Sequence, residues 1–215
     1  MLQHSVLGKR DDQECEQLAG RFRQVVGSIV VMFNTMPPRN LAQLLQMPFK
    51  MVSSTLDSLR SVLNVPVDES QPVRLFHLSF RDFLQDSERC SDSQFQIDEK
   101  ERHTSLFRKC MEHISQLEEN ICDLWGPGVL ITEIPDDTIQ KNISPHVRYG
   151  CRYWLDHWRL GDPLAVEEDI KTIRQFLEQH FLHWLEGLSL IGEVSNGVHM
   201  IIALEEILSV SYDTY

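Results

Sequence analysis

No stretch of this 215-residue chain approaches the roughly 18 uninterrupted apolar residues of a membrane-spanning helix. The opening MLQHSVLGKRDDQECEQ also lacks the long apolar core of a secretory signal. A cytoplasmic protein that does not enter a membrane is therefore expected. Cysteines are few and odd in number: Cys15, Cys90, Cys110, Cys122 and Cys151 are widely separated, mostly within apolar helical patterns, and read as free thiols in a reducing compartment. C-x-x-C and H-E-x-x-H are both missing, so no recognisable zinc donor set exists. So are the G-x-S-x-G elbow of a serine hydrolase and the G-x-x-x-x-G-K-[ST] loop that cradles phosphates. Low-complexity tracts and repeats of 20 to 50 residues are missing too, which excludes a disordered arm, a solenoid or a propeller.

What the chain has is ordinary globular material. Its 42% apolar residues and 25.0 kDa suffice for one large or two small cores. The net charge of −12 is uneven: residues 1–86 carry nine Lys/Arg and nine Asp/Glu, residues 87–215 eleven and twenty-three. An acidic second half repels phosphate backbones, and a neutral first half supplies little counterion release, so nucleic acid is not an expected partner.

Helical periodicity organises the first part. Leu18, Phe22, Val25, Ile29 and Phe33 fall on one stripe of a helix that ends before Pro37 and Pro38. Asn40 can cap a short second helix carrying Leu41, Leu44 and Leu45. Pro48 opens a third, in which Val52, Leu56, Leu59 and Leu63 share a face. Val65 and Val67, a polar turn at Asp68, Glu69 and Ser70, and a strand from Val73 to His77 then form a hairpin. Three helices and a two-stranded wing predict a winged helix over residues 11–86, preceded by an N-terminal extension over 1–10.

Residues 87–97 read as a polar linker, and 98–215 as an all-helical domain. Asp98 and Glu101 form a capping pair ahead of a helix whose Leu106, Cys110, Ile114 and Leu117 line one side. Gly126, Pro127 and Gly128 end the next segment. Ser144 and Pro145 begin another helix with Val147, Cys151, Trp154 and Trp158 inward, closed by Gly161, Asp162 and Pro163. Ile170, Ile173, Leu177, Phe181, Trp184 and Leu188 form the stripe of a long helix, and a further one spans about Val198 to Leu208. The fold class is thus mainly α, a winged helix with one short β-hairpin followed by a helical domain.

The segment RLFHLSFRDFL, residues 74–84, holds the most distinctive chemistry. Val73, Leu75 and His77 alternate as in a strand, after which Phe80, Phe83 and Leu84 adopt helical spacing. Ser79 and Asp82 read as an S-x-x-D capping pair, placing His77 just before a helix start. By itself a lone strand-end histidine is most simply a residue bonded to local backbone. However, Phe76, His77, Ser79, Phe80, Asp82, Phe83 and Leu84 resemble the pattern of apolar strand, H-x-S/T-F, acidic residue and F-L. That pattern belongs to the winged-helix region following the ATPase core of NACHT proteins, the NLR-like STAND ATPases of the fungal vegetative-incompatibility type. The segments FRQVVGSIVV (22–31), 41–65, RCSDSQFQIDEKE (89–101) and FLEQHFLHWLEGLSLIG (176–192) resemble the same family in the same order.

The resemblance implies that His77 contacts the β-phosphate of ADP and holds the resting state closed. An imidazole N–H is a suitable donor for that contact. It also implies a partner, the NACHT ATPase core in cis or in trans, and ADP or ATP as the nucleotide of a full-length protein. This chain lacks the Walker loop, so it reads as the part after the motor: an excised fragment, a truncated paralogue or a partial gene product. No cofactor is expected in the chain itself.

Other constellations carry less. His180 and His183 lie three apart on a helix, but two ligands do not make a zinc site. Ser79, His77 and Asp82 are too close in sequence to converge as a hydrolytic triad. Trp154, Trp158 and Trp184 are at helical spacing and read as core. The third helix offers only Lys50 and Arg60 for base contacts, which favours protein over DNA contact. The expected function is nonenzymatic: a regulatory segment that senses the nucleotide state of an ATPase core and relays it to other protein domains. A stand-alone winged-helix adaptor ranks second, and a DNA-binding regulator third.

Overall fold

The computed structural model describes residues 2–90, 92–126, 128–162 and 166–212, which divide into two units, Met1–His103 and Thr104–Tyr215. The described residues are mainly helical, with a single two-stranded sheet among them.

In the first unit, helix α1 (Leu2–Val31) buries every residue from 25 to 31, a pattern that requires neighbours all round. Val25, Val26, Ile29 and Val30 form this part of the core, whereas Leu18 and Phe33, the ends of the expected stripe, are exposed. The sequence stripe assumed one buried face. Instead Ile97 and the stem of Arg102 approach Gly27, while α3 and β2 also contact the helix. Phe22 adds an edge-to-face contact with Phe95, centroids 5.1 Å apart.

Helix α2 (Pro38–Leu44) has Pro37 rather than Asn40 at its N-cap position, with no side-chain cap. Proline's fixed φ and missing N–H suit Pro38 to the first helical position. Its end is a Schellman turn. The N–H of Met47 donates to Ala42 O (2.9 Å) and that of Gln46 to Gln43 O (3.0 Å), with Gln46 at φ 54 where glycine is usual. Pro48 then stands at the N-cap position of α3 (Phe49–Asp57), which buries Val52 and Leu56.

The hairpin pairs β1 (Leu63–Asn64) with β2 (Arg74–Leu75), antiparallel, with Leu63 opposite Leu75. The expected first strand at Val65 and Val67 is therefore shifted, and Leu63 belongs to the sheet rather than to α3. Pro66 accounts for the shift, since it has no N–H to give a ladder; Val67 stands 95% exposed while Leu63 is fully buried. Asp68 organises the turn by accepting from the Ser70 N–H (2.9 Å) and hydroxyl (2.7 Å). The Val73 N–H donates to Met36 O (3.1 Å), which ties β2 to the α1–α2 loop.

Helix α4 (Leu78–Gln85) follows the sheet and is anchored by Leu84, 1% exposed. The polar stretch after it is fastened to the same unit: Cys90 and Ile97 are buried, and the Ile97 N–H donates to Leu84 O (2.9 Å). The Asp98 carboxylate accepts from the Glu101 N–H (3.0 Å) at the start of α5 (Glu99–Ile114).

In the second unit the remainder of α5 buries Leu106, Cys110, Ile114 and, just beyond it, Leu117. A 3₁₀ turn (Ile131–Glu133), α6 (Asp136–Asn142), α7 (Pro145–Leu160), α8 (Val166–Leu190) and α9 (Val194–Tyr212) complete it. Helix α9 is longer at both ends than the sequence pattern indicated. Pro127 and Pro163, two of the expected terminators, lie outside the described residues.

The second core is aromatic. Trp154 packs against Phe107, Phe176 and Trp184 with centroids 6.5, 5.9 and 6.0 Å away. The Trp184 indole N–H donates to Cys151 O (3.1 Å), satisfying the polar end of a fully buried ring. Gly150 permits the close approach of α5 and α7, since a Cβ there would lie 3.0 Å from Ile114 Cγ2 and 3.4 Å from Cys110 O. A smaller cluster of Cys122, Ile134, Ile139, Ile143 and Leu190 seats the 3₁₀ turn and α6.

Candidate functional site

The first unit delivers His77 to the surface through the end of the hairpin. After β2 the Phe76 N–H still bonds Val62 O (3.1 Å), and His77 remains extended at φ −145, ψ 137. Helix α4 begins immediately. Its N-cap is His77, not Ser79: Nδ1 accepts the Ser79 N–H at 3.1 Å, filling one of the vacancies at a helix start. Ser79 therefore sits inside the first turn, and the expected Ser79–Asp82 capping pair begins two residues too late.

Leu84 points inward and fixes α4, while the residues around the cap point outward. Phe76 is 60% exposed, Leu78 69% and Phe83 36%; Ser79 and Asp82 are exposed and Phe80 half-buried. His77 is itself exposed. The result is an exposed imidazole with one nitrogen engaged by the helix, on a segment that also exposes Phe76, Leu78 and Phe83. Arg81 reaches Glu99 (3.6 Å), which links α4 to the first turn of α5.

His180 and His183 have ring centroids 5.8 Å apart on α8. Among the described residues, no group of three or more His, Cys, Asp or Glu side chains could hold a metal. Trp154 and Trp184 are buried, and Trp158, half-buried, lies against Phe107 at 6.5 Å. Cys90, Cys110, Cys122 and Cys151 are buried free thiols and Cys15 is an exposed one. Burial pushes the Cys90, Cys110 and Cys122 thiols up, and that of Cys151 up to about 12.

Polar pairings in the second unit had no signal in sequence. His113 on α5 meets His146 on α7 edge-on at 4.7 Å. Burial, with His113 as a lesser cause, holds His146 down at about 4. The Tyr149 hydroxyl and His157 Nε2, both buried, are 2.7 Å apart. Arg108 reaches the buried Asp169 at 3.3 Å beside an open groove of about 670 Å³, floored by Met111 and Phe176. Burial pushes the Asp169 carboxyl up, against the opposing pull of Arg108. These partners lie 61 residues apart for Arg108 and Asp169, beyond the reach of any local motif.

The class defined so far is a mainly helical, two-unit chain displaying a histidine helix cap at the end of a hairpin. No family model matches the chain, and no solved structure matches it. Its sequence is distantly similar to that of a fungal incompatibility protein. That relative is the vegetative incompatibility protein HET-E-1 of Podospora anserina, 29% identical over 191 residues, covering 78% of this chain and 14% of the relative. The chain thus spans about a seventh of the length of the curated relative it matches.

Proposed function

We propose that this chain is a regulatory, nonenzymatic segment of a NACHT-type STAND signal-transduction ATPase. In this reading the first unit is a winged helix that docks on the ATPase core, and His77 Nε2 donates to the β-phosphate of bound ADP. The helical second unit relays the docked or released state to further protein domains. The observation that carries the reading is the presentation of His77, exposed at a helix cap on a segment that also exposes Phe76, Leu78 and Phe83. A protein surface that covers these exposed apolar side chains would exclude water from the phosphate contact and strengthen it. Helix–turn–helix α2–α3 followed by the β1–β2 hairpin supports the winged-helix assignment. The similarity to a vegetative incompatibility protein supports a role in fungal signalling.

The partners are then the NACHT core, in cis or in trans, and other protein domains. DNA is disfavoured because residues 1–86 carry no net positive charge, and Arg39 on α2 and Arg60 just after α3 each face a carboxylate, Glu69 and Asp57, at 2.9 and 2.8 Å. No helix among the described residues is long and apolar enough to cross a membrane, and we assign the work to the cytoplasm.

The test joins a NACHT ATPase core in frame ahead of the chain, loads it with ADP, and compares release from the wild type and His77→Ala. Faster release from the variant is expected. Equal rates sink the assignment.

A further inference from the structure

Histidine is an unusual choice for a helix cap, a position where Ser, Thr, Asp or Asn supply the same acceptor. Departures from local preference concentrate where a residue serves a second purpose. His77 nevertheless caps α4 through Nδ1, with the Ser79 N–H at 3.1 Å. A backbone N–H can only donate, so Nδ1 must present its lone pair and the ring hydrogen must reside on Nε2.

Resting on the nucleotide-contact reading above, we infer that the Ser79 backbone N–H is the positioning group of the site. It fixes the plane of the imidazole and its tautomer together, so that Nε2 faces outward as a dedicated donor. The ligand atom that meets Nε2 is therefore an acceptor, a phosphate or carboxylate oxygen, and a group that only donates, such as an ammonium, is refused. The cap and the contact are two ends of one ring, so ordering of α4 and ordering of the donor are the same event. Leu84 and the Ile97–Leu84 bond hold α4 in place and supply the rigidity that such positioning needs.

The experiment has two arms. In the chain as it exists, long-range proton–nitrogen correlation of the histidine rings at about pH 8, above the ordinary imidazole range, with His77→Gln used for assignment, should show Nδ1 bare and Nε2 protonated. The opposite tautomer, or an exchanging mixture, overturns the inference whatever the nucleotide does. In the ADP-loaded chimera, His77→Thr keeps an uncharged acceptor for the cap but is too short to carry a donor to the nucleotide. It should release ADP about tenfold faster or more, the worth of one hydrogen bond to a charged group. Ser79→Ala retains the N–H and should behave as wild type, whereas Ser79→Pro removes the N–H and should accelerate release. Fast release from His77→Thr with wild-type release from Ser79→Pro overturns the positioning role and leaves the nucleotide contact standing. Wild-type release from His77→Thr overturns both.

Discussion

Replacing Trp184 by Phe tests the second core directly. The ring is fully buried, packed on Trp154 and Phe176 with centroids 6.0 and 6.2 Å away, and its N–H bonds Cys151 O at 3.1 Å. Phenylalanine keeps much of the aromatic contact but leaves a void of about 40 Å³, worth about 1 kcal/mol at ~24 cal/mol per Å³. The lost apolar area adds somewhat under about 1 kcal/mol, and the lost hydrogen bond about 1 kcal/mol. Cys151 lies within α7, so its carbonyl keeps a helical partner and no orphaned acceptor adds to the cost. The expected loss is about 2–3 kcal/mol, below the ~3–5 kcal/mol of truncation to alanine. All four tryptophans, at 125, 154, 158 and 184, lie in the second unit, so emission during urea titration reports that unit alone. Trp125, 86% exposed, is the control, and Trp125→Phe should stay within about 0.5 kcal/mol. A Trp184→Phe loss no larger than the control would refute the packing argument.

Acid should weaken the fold before it reaches the carboxylate range. Burial holds His146 at about 4, below its ordinary 6.5, and lowers His103 too. The unfolded chain therefore binds their protons first, and stability present above about pH 6.5 is lost as pH falls toward 4, by about 1–2 kcal/mol for His146 after discounting for its partial exposure. Asp169 and Asp156, whose carboxyls burial raises, act in the opposite sense at the lower end of that window. Identical urea midpoints at about pH 7.5 and 5 contradict this. His77→Ala should cost about 0.5–2 kcal/mol locally, because it removes the α4 cap. Faster hydrogen exchange over residues 78–85 is the expected readout, and unchanged exchange there speaks against the cap. Fluorescence anisotropy with mixed duplexes at physiological salt should show no saturable binding tighter than about a micromolar; such binding counts against the protein-contact reading.

How far the sequence revealed the structure depends on how local each determinant is. The faces of α5 and α7 were legible because Leu106, Cys110, Ile114, Cys151 and Trp154 recur at helical spacing and are all buried. The two short helices α2 and α3 were legible from Pro37, Pro38 and Pro48, although Pro38 rather than Asn40 begins α2. The strand register was missed by two residues because apolar Val65 and Val67 outweighed the missing N–H of Pro66. The sequence places His77 just before a helix, but cap preferences point to Ser79, whereas the histidine ring itself is the cap. The pairs His113–His146 and Arg108–Asp169 join side chains whose neighbours in sequence give no hint of each other.

The distribution of thiols makes the molecule a recorder of its own opening. Cys15 is exposed and should take an alkylating reagent at once, leaving Cys90, Cys110, Cys122 and Cys151 silent in the native state. Each silent thiol becomes reactive only when its surroundings part, so its labelling rate measures the free energy of that local opening. Cys90 reports on the first unit, to which the tryptophans are blind, and the other three report on the second. Mass spectrometry of a timed labelling series therefore ranks the two units by stability without a single substitution. If the units open independently, Cys90 acquires its label on a different clock from Cys110 and Cys151.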